Sequence, residues 1–105
     1  MILIIGANGF FGNQLQKFFL KKKIIFFPTD ISLNGESYLD VRNLDLIKGI
    51  IKKNNIKIIV NCSCEPATSK SKKKLWSTNV NGNQNLIKAC LEFNIKKYIF
   101  ISTSA

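Results

Sequence analysis

Gly6-Ala7-Asn8-Gly9-Phe10-Phe11-Gly12 follows directly on the apolar run Met1, Ile2, Leu3, Ile4, Ile5 and opens a helix-forming stretch, and this strand-turn-helix order decides the fold. Five apolar residues in succession mark a strand buried on both faces, as in a parallel sheet. Gly6 permits a tight exit from the strand, Gly9 lets backbone N–H groups approach a phosphate with no side chain between, and Gly12 allows the helix to lie close to the sheet. The helix start adds unpaired N–H donors and the positive end of its dipole, which together suit a pyrophosphate. Three glycines in a turn are equally compatible with a purely structural role, so the rest of the chain must supply the context.

Working outward, residues 10–22 read as a helix with Phe11, Leu15, Phe18 and Phe19 on one stripe, ending in Lys21, Lys22 and Lys23 at the negative end of its dipole. Residues 24–27 form a second short strand closed by Pro28, Thr29 and Asp30, and a brief third strand is expected around Tyr38 and Leu39. Asn43 can cap a helix over 44–54 with Leu44, Ile47, Ile50 and Ile51 inward. Residues 56–61 are a β-branched fourth strand. A polar stretch with Pro66 and Lys70 to Lys74 reads as an exposed connection, Leu86, Ile87, Cys90 and Leu91 mark a third long helix, and residues 97–102 a fifth strand. Strands separated by helix-length crossovers imply an α/β fold with a doubly wound parallel sheet, five strands in the order 3-2-1-4-5.

Composition narrows the function. A chain of 105 residues with 46% hydrophobic content is one globular unit with one core. No apolar run approaches the roughly 20 residues that span a bilayer, and the first glycine comes too early for a signal peptide, so no membrane partner and a cytoplasmic location are expected. Cys62, Cys64 and Cys90 make an odd number, and with no histidine in the chain a metal site is not expected. The missing histidine also removes the commonest general base. A net charge of +10 attracts polyanions, yet of the 16 basic residues only Arg42 is an arginine. Bidentate recognition of bases and phosphates is chiefly arginine work, which argues against nucleic acid as the partner.

Asp30 ends the second strand 18 residues beyond Gly12. A carboxylate there can accept from adenosine ribose hydroxyls and would repel a 2'-phosphate, so NAD is expected in preference to NADP. GANGFFG at 6–12, Asp30, LDVRN at 39–43, NVNGNQNL at 79–86 and YIFISTSA at 98–105 together resemble the extended short-chain dehydrogenase/reductases. Within them, the likeness is to the NAD-dependent epimerase/dehydratase group, which includes UDP-glucose 4-epimerase and the nucleotide-sugar dehydratases. The likeness runs the whole length, with five motifs in the correct order.

The resemblance implies a Rossmann-type domain over residues 1–105, with the cofactor held by Gly6, Asn8, Gly9, Phe10, Phe11, Gly12 and Asp30. It further implies that Asp40 and Val41 meet the adenine, that Cys62, Ser63 and Cys64 line the cofactor, that Asn79 helps organise the active site, and that Ser104 hydrogen-bonds the reacting sugar oxygen. Taken as ordinary surface and strand-end residues, the same positions would need no ligand. The family's Tyr-x-x-x-Lys pair is absent: Tyr38 is followed four residues on by Arg42, and Tyr98 by Ser102. The expectation is a truncated dinucleotide-binding domain, inactive alone, whose parent enzyme lacks here its substrate-binding domain and acts on a nucleotide sugar; a homodimer is one assembly left open for that parent. The alternatives are a noncatalytic dinucleotide-binding module or decayed remnant, and a reductase similar to dTDP-4-dehydrorhamnose reductase.

Overall fold

β1 (Ile2–Ile5) lies inside a parallel sheet, between β2 (Phe26–Thr29) and β3 (Ile58–Asn61), with β4 (Lys97–Phe100) outside β3. The computed structural model describes residues 1–63 and 71–101, the side chains of 74 and 75 apart. The apolar run of β1 is explained by two cores. Leu3 and Ile5 join the residues of α2 (Leu44–Asn54) and α4 (Gly82–Glu92) on one face, and Ile4 joins Phe19 of α1 (Phe10–Lys21) on the other. Leu3, Ile4 and Ile5 are at most 1% exposed, and each such side chain stabilises the fold by roughly 1.5–3 kcal/mol relative to exposure.

The four strands keep the expected relative order. The expected third strand is reduced to a single parallel bridge between Asp30 and Tyr38, in which the Asp30 amide donates to the Ser37 carbonyl and the Leu39 amide to that of Asp30. The 3-10 turn at Gly35–Ser37 before it, and after it a turn in which the Asn43 amide donates to the Asp40 carbonyl at 2.9 Å, keep the pairing short. Pro28 fits β2 because alternate residues point opposite ways in a strand: the Thr29 carbonyl faces β1, where it accepts from the Ala7 amide at 2.9 Å. The Pro28 nitrogen therefore faces the outer edge, where a missing donor leaves no bond of the β1 ladder unmade.

α1 buries half of the expected stripe, with Gly12 beside it. Gly12 and Phe19 are buried, with Leu15 partly so, while Phe11 and Phe18 are 42% and 51% exposed. The turn seats Gly12 on the sheet, and the residues three and seven positions on must follow it inward. In α2, the Asn43 side chain accepts from the Leu46 amide at 3.1 Å, and Ile47, Ile50 and Ile51 are buried as expected. Asn55, at φ 51°, closes the helix in the left-handed region.

The lysine-rich stretch is not wholly a connection. Residues Lys72–Trp76 form α3, which runs through a π-helical segment at Ser77–Asn81 into α4. Lysine is itself a good helix former, so a run of like charge weakens but does not forbid a helix. α4 packs on α2, where the Lys48 ammonium meets the Glu92 carboxylate at 3.0 Å. α1 covers β1 and β2 and leaves Ile99 of β4 42% exposed. No helix among the described residues is long and apolar enough to cross a membrane.

Candidate functional site

All strands point the same way, so their carboxyl ends meet at one edge of the sheet, where ligands of such folds bind. The tip of β1 carries Gly6, the tip of β2 leads to Asp30, and β3 leads into Cys62 and Ser63. A cavity opens there, with Gly6 and Gly9 on its floor, Asp30, Asp40 and Val41 to one side, and Cys62 and Ser63 to the other. The sequence-derived residues from three separate strand ends thus converge.

The glycines of the turn do different work. Gly6 has φ +79°, and a Cβ on it would stand 2.7 Å from the Ser63 amide nitrogen, so both conformation and the neighbouring loop demand glycine. Gly12 is held against the turn itself. Gly9 is neither strained nor crowded: a Cβ would meet only the Gly6 carbonyl oxygen, at an ordinary 3.5 Å. Gly9 lines the cavity. Gly9 is also the N-cap of α1, offers no side-chain cap, and the first turn of the helix contains no acid. The first-turn amides and the positive end of the helix are therefore left for an anion.

Asn8 ties this turn to Asp30. Its backbone amide donates to Asp30 Oδ2 at 2.9 Å and its side chain to the Ser32 hydroxyl at 2.8 Å. The Ser32 amide and hydroxyl both donate to Asp30 Oδ1, each at 2.9 Å. A carboxylate has about four acceptor positions. Among the described residues three are filled, which leaves one on Oδ2.

Asp40 is gripped by Arg42, whose Nε and terminal nitrogen bracket the carboxylate at 2.9 and 2.7 Å while its amide adds a bond at 3.0 Å. The guanidinium hydrogen bonds hold the Asp40 carboxyl below its ordinary range, outweighing partial burial. Beyond Gly6, Asn61 is a buried polar side chain, 2% exposed. Its oxygen accepts from the Ser63 amide at 2.9 Å and hydroxyl at 2.6 Å, and its nitrogen donates to the Tyr98 hydroxyl at 3.2 Å. Tyr98 in turn donates to the Asn83 side-chain oxygen of α4. Burial pushes the Tyr98 phenol up to about 12.

Other expected residues lie apart or out of view. Phe10 and Phe11 stack edge to face on the exposed side of α1, and Phe10 is 73% exposed. Asn79 is half-buried in the π-helical segment, and its neighbour Thr78 lines the cavity. Cys64 and Ser104 lie outside the described residues. Ser32 and Thr78 belong to the site without being singled out by the sequence, and Arg42, quoted within LDVRN, was given no role there. Ser32 had a readable signal, since aspartate followed two residues on by serine favours a side-chain-to-backbone turn.

The sequence profile of the NAD dependent epimerase/dehydratase family matches residues 2–105. A dTDP-D-glucose 4,6-dehydratase of Dictyostelium discoideum is 28% identical, the match covering 97% of this chain and 28% of that protein. Among solved structures, the chain is similar to UDP-glucose 4-epimerase of Thermus thermophilus in complex with NAD, with a TM-score of 0.85 at 18% identity over 97% of this chain and 37% of that one. It is likewise similar to the Bordetella bronchiseptica enzyme WbmG in complex with NAD and UDP, with a TM-score of 0.82 at 20% identity over 94% and 36% of the two chains. The chain spans 27% and 28% of the length of the two curated relatives it matches.

Proposed function

The chain belongs to the NAD dependent epimerase/dehydratase family, and from that premise we propose that it forms the NAD-binding part of a nucleotide-sugar epimerase or dehydratase. The observation that carries the reading is the open approach to Gly9, the N-cap of α1, which lines the cavity and where no contact among the described residues requires glycine. A pyrophosphate fits that place, held by the first-turn amides of α1.

The adenosine half is assigned to the β2 side. The free acceptor position of Asp30 Oδ2 takes a ribose hydroxyl, and Asp40 with the Val41 backbone takes the adenine. NAD is preferred to NADP for two reasons. Asp30 carries negative charge where a 2'-phosphate would sit, and Arg42, the basic residue of this wall, already brackets Asp40. NAD, when bound, supplies the carbon that exchanges hydride with a sugar carbon of the nucleotide-sugar substrate. Cys62 and Ser63 line the half of the cleft where that chemistry would take place, and Ser104 is assigned to the reacting sugar oxygen. The chain's 105 residues contain no Tyr-x-x-x-Lys, so binding and orientation are proposed for them and no proton transfer. The cytoplasm is the proposed compartment.

Calorimetric titration of the chain with NAD and NADP tests the reading. NAD should bind at least about tenfold more tightly, a difference of about 1.4 kcal/mol, and Asp30→Ala should erase most of that margin. Tighter binding of NADP would overturn the choice of cofactor, and binding of neither would overturn the dinucleotide site.

A further inference from the structure

Asn61 is one of three buried polar or charged residues among those described, and it sits at the tip of β3 beside the cavity. A buried amide is tolerated only where its bonds are made, and this one makes them in a line. The Asn83 oxygen on α4 accepts from the Tyr98 hydroxyl, that hydroxyl accepts from Asn61, and the Asn61 oxygen holds both the amide and the hydroxyl of Ser63. The loop so held is the one against which Gly6 is packed, 2.7 Å separating the Ser63 nitrogen from where a Gly6 Cβ would stand. α4 grips the opposite wall independently: the Asn85 side chain donates to the Val41 carbonyl at 3.1 Å, and Gly82 is pressed onto the Val41 side chain.

We propose that Tyr98 is a positioning residue for the half of the dinucleotide site beyond Gly6, fixing the Cys62–Ser63 turn through Asn61 while Asn83 orients its hydroxyl. The inference rests on the NAD reading above. Because β1 lies between β2 and β3, a dinucleotide laid across the strand tips places its adenosine half by Asp30 and its other half by Ser63. Tyr98 touches neither half. Its hydroxyl acts at the second one alone, by keeping Asn61 from turning its amide elsewhere. A phenylalanine would fill the same core space and lose only that control.

The test compares affinities of the chain for NAD and for AMP, the latter probing the adenosine side alone. Tyr98→Phe should weaken NAD about tenfold, because binding must then fix a Cys62–Ser63 segment that Asn61 no longer holds in one place, and AMP by less than about twofold. Asn83→Asp, which keeps an acceptor for the Tyr98 hydroxyl, should keep both wild-type affinities, whereas Asn83→Leu should repeat the Tyr98→Phe pattern and covers the case in which that variant does not fold. Asn85→Ala should weaken NAD and AMP together, because it loosens the Val41 wall. Equal losses of NAD and AMP in Tyr98→Phe, or no loss of either, would overturn the positioning role while leaving the NAD site standing. A wild-type chain that binds AMP and not NAD, or binds neither, would overturn the NAD reading and this inference with it.

Discussion

Gly12 lies so close to Gly6 that a Cβ on Gly12 would stand 2.1 Å from the Gly6 carbonyl oxygen and 2.7 Å from the Ala7 Cα. The obstacles are backbone atoms, which cannot swing aside as a side-chain end can. Gly12→Ala should therefore cost more than the 1–3 kcal/mol or so of ordinary overpacking, either unfolding the chain or lifting α1 off the sheet. Urea denaturation followed by circular dichroism measures it, and a wild-type midpoint would contradict the close approach.

Gly9→Ala separates binding from folding. Its Cβ has ordinary space inside the protein, so stability should change by less than about 1 kcal/mol, the scale of an N-cap exchange. NAD affinity should nevertheless fall, since the methyl group enters the space assigned to the pyrophosphate. Titration alongside a melting curve checks both, and unchanged affinity would count against the assigned position.

Gly49 stands in the middle of α2, exposed, with nothing among the described residues within 4 Å of the place a Cβ would take. Gly49→Ala should stabilise the chain by about 0.5–1 kcal/mol through helix propensity alone. For a domain of this size that is a rise in melting temperature of a few degrees, about 4–8 °C per kcal/mol. A lower melting temperature would contradict the open space at that position.

The Asp40 carboxyl, held low by the hydrogen bonds of Arg42, contributes stability that is present above the unfolded carboxyl value of about 3.9 and is lost as pH falls through the lowered folded value. Asp40→Asn should thus be less stable than the wild-type chain at pH 6, and the gap should shrink on acidification below about pH 4. Denaturant midpoints across that range supply the comparison; a gap independent of pH would remove the charge from the account.

For Tyr98 the sign is reversed. Its folded value of about 12 lies above the unfolded value of 10.0, so its contribution is complete below pH 10 and lost as pH rises through 12. In a Tyr38→Phe chain, which leaves one of the two tyrosines, phenolate absorbance should stay low through pH 11 while the chain is folded and jump on unfolding. Early ionisation in the folded chain would mean that the phenol is less buried than described.

The parts of this molecule that a sequence reveals are those whose demands are local. The turn of Gly6, Gly9 and Gly12, the Asn43 cap and the strand-ending Asp30 each answer a backbone need within a few residues, and the order of the strands follows from the handedness of crossovers. The inner face of α1 was half legible: Leu15 and Phe19 turn inward as their spacing suggests, while Phe11 and Phe18 share their hydrophobic signal and yet stay exposed, because the close seat of Gly12 rotates them away. The bond from Asn61 to Tyr98 spans 37 positions, and nothing in either neighbourhood announces it. Thr78 lines the cavity from a π-helical segment, a local widening of the helix that residue periodicity does not encode.

Pro28 sets a direction on the whole sheet. With a ring nitrogen at its outer rim and a lone bridge beyond it, β2 offers an arriving chain no continuous row of partners, whereas nothing described pairs with the far side of β4. Any extension of the sheet, by more of this polypeptide or by a stray neighbour, is therefore steered to the β4 margin.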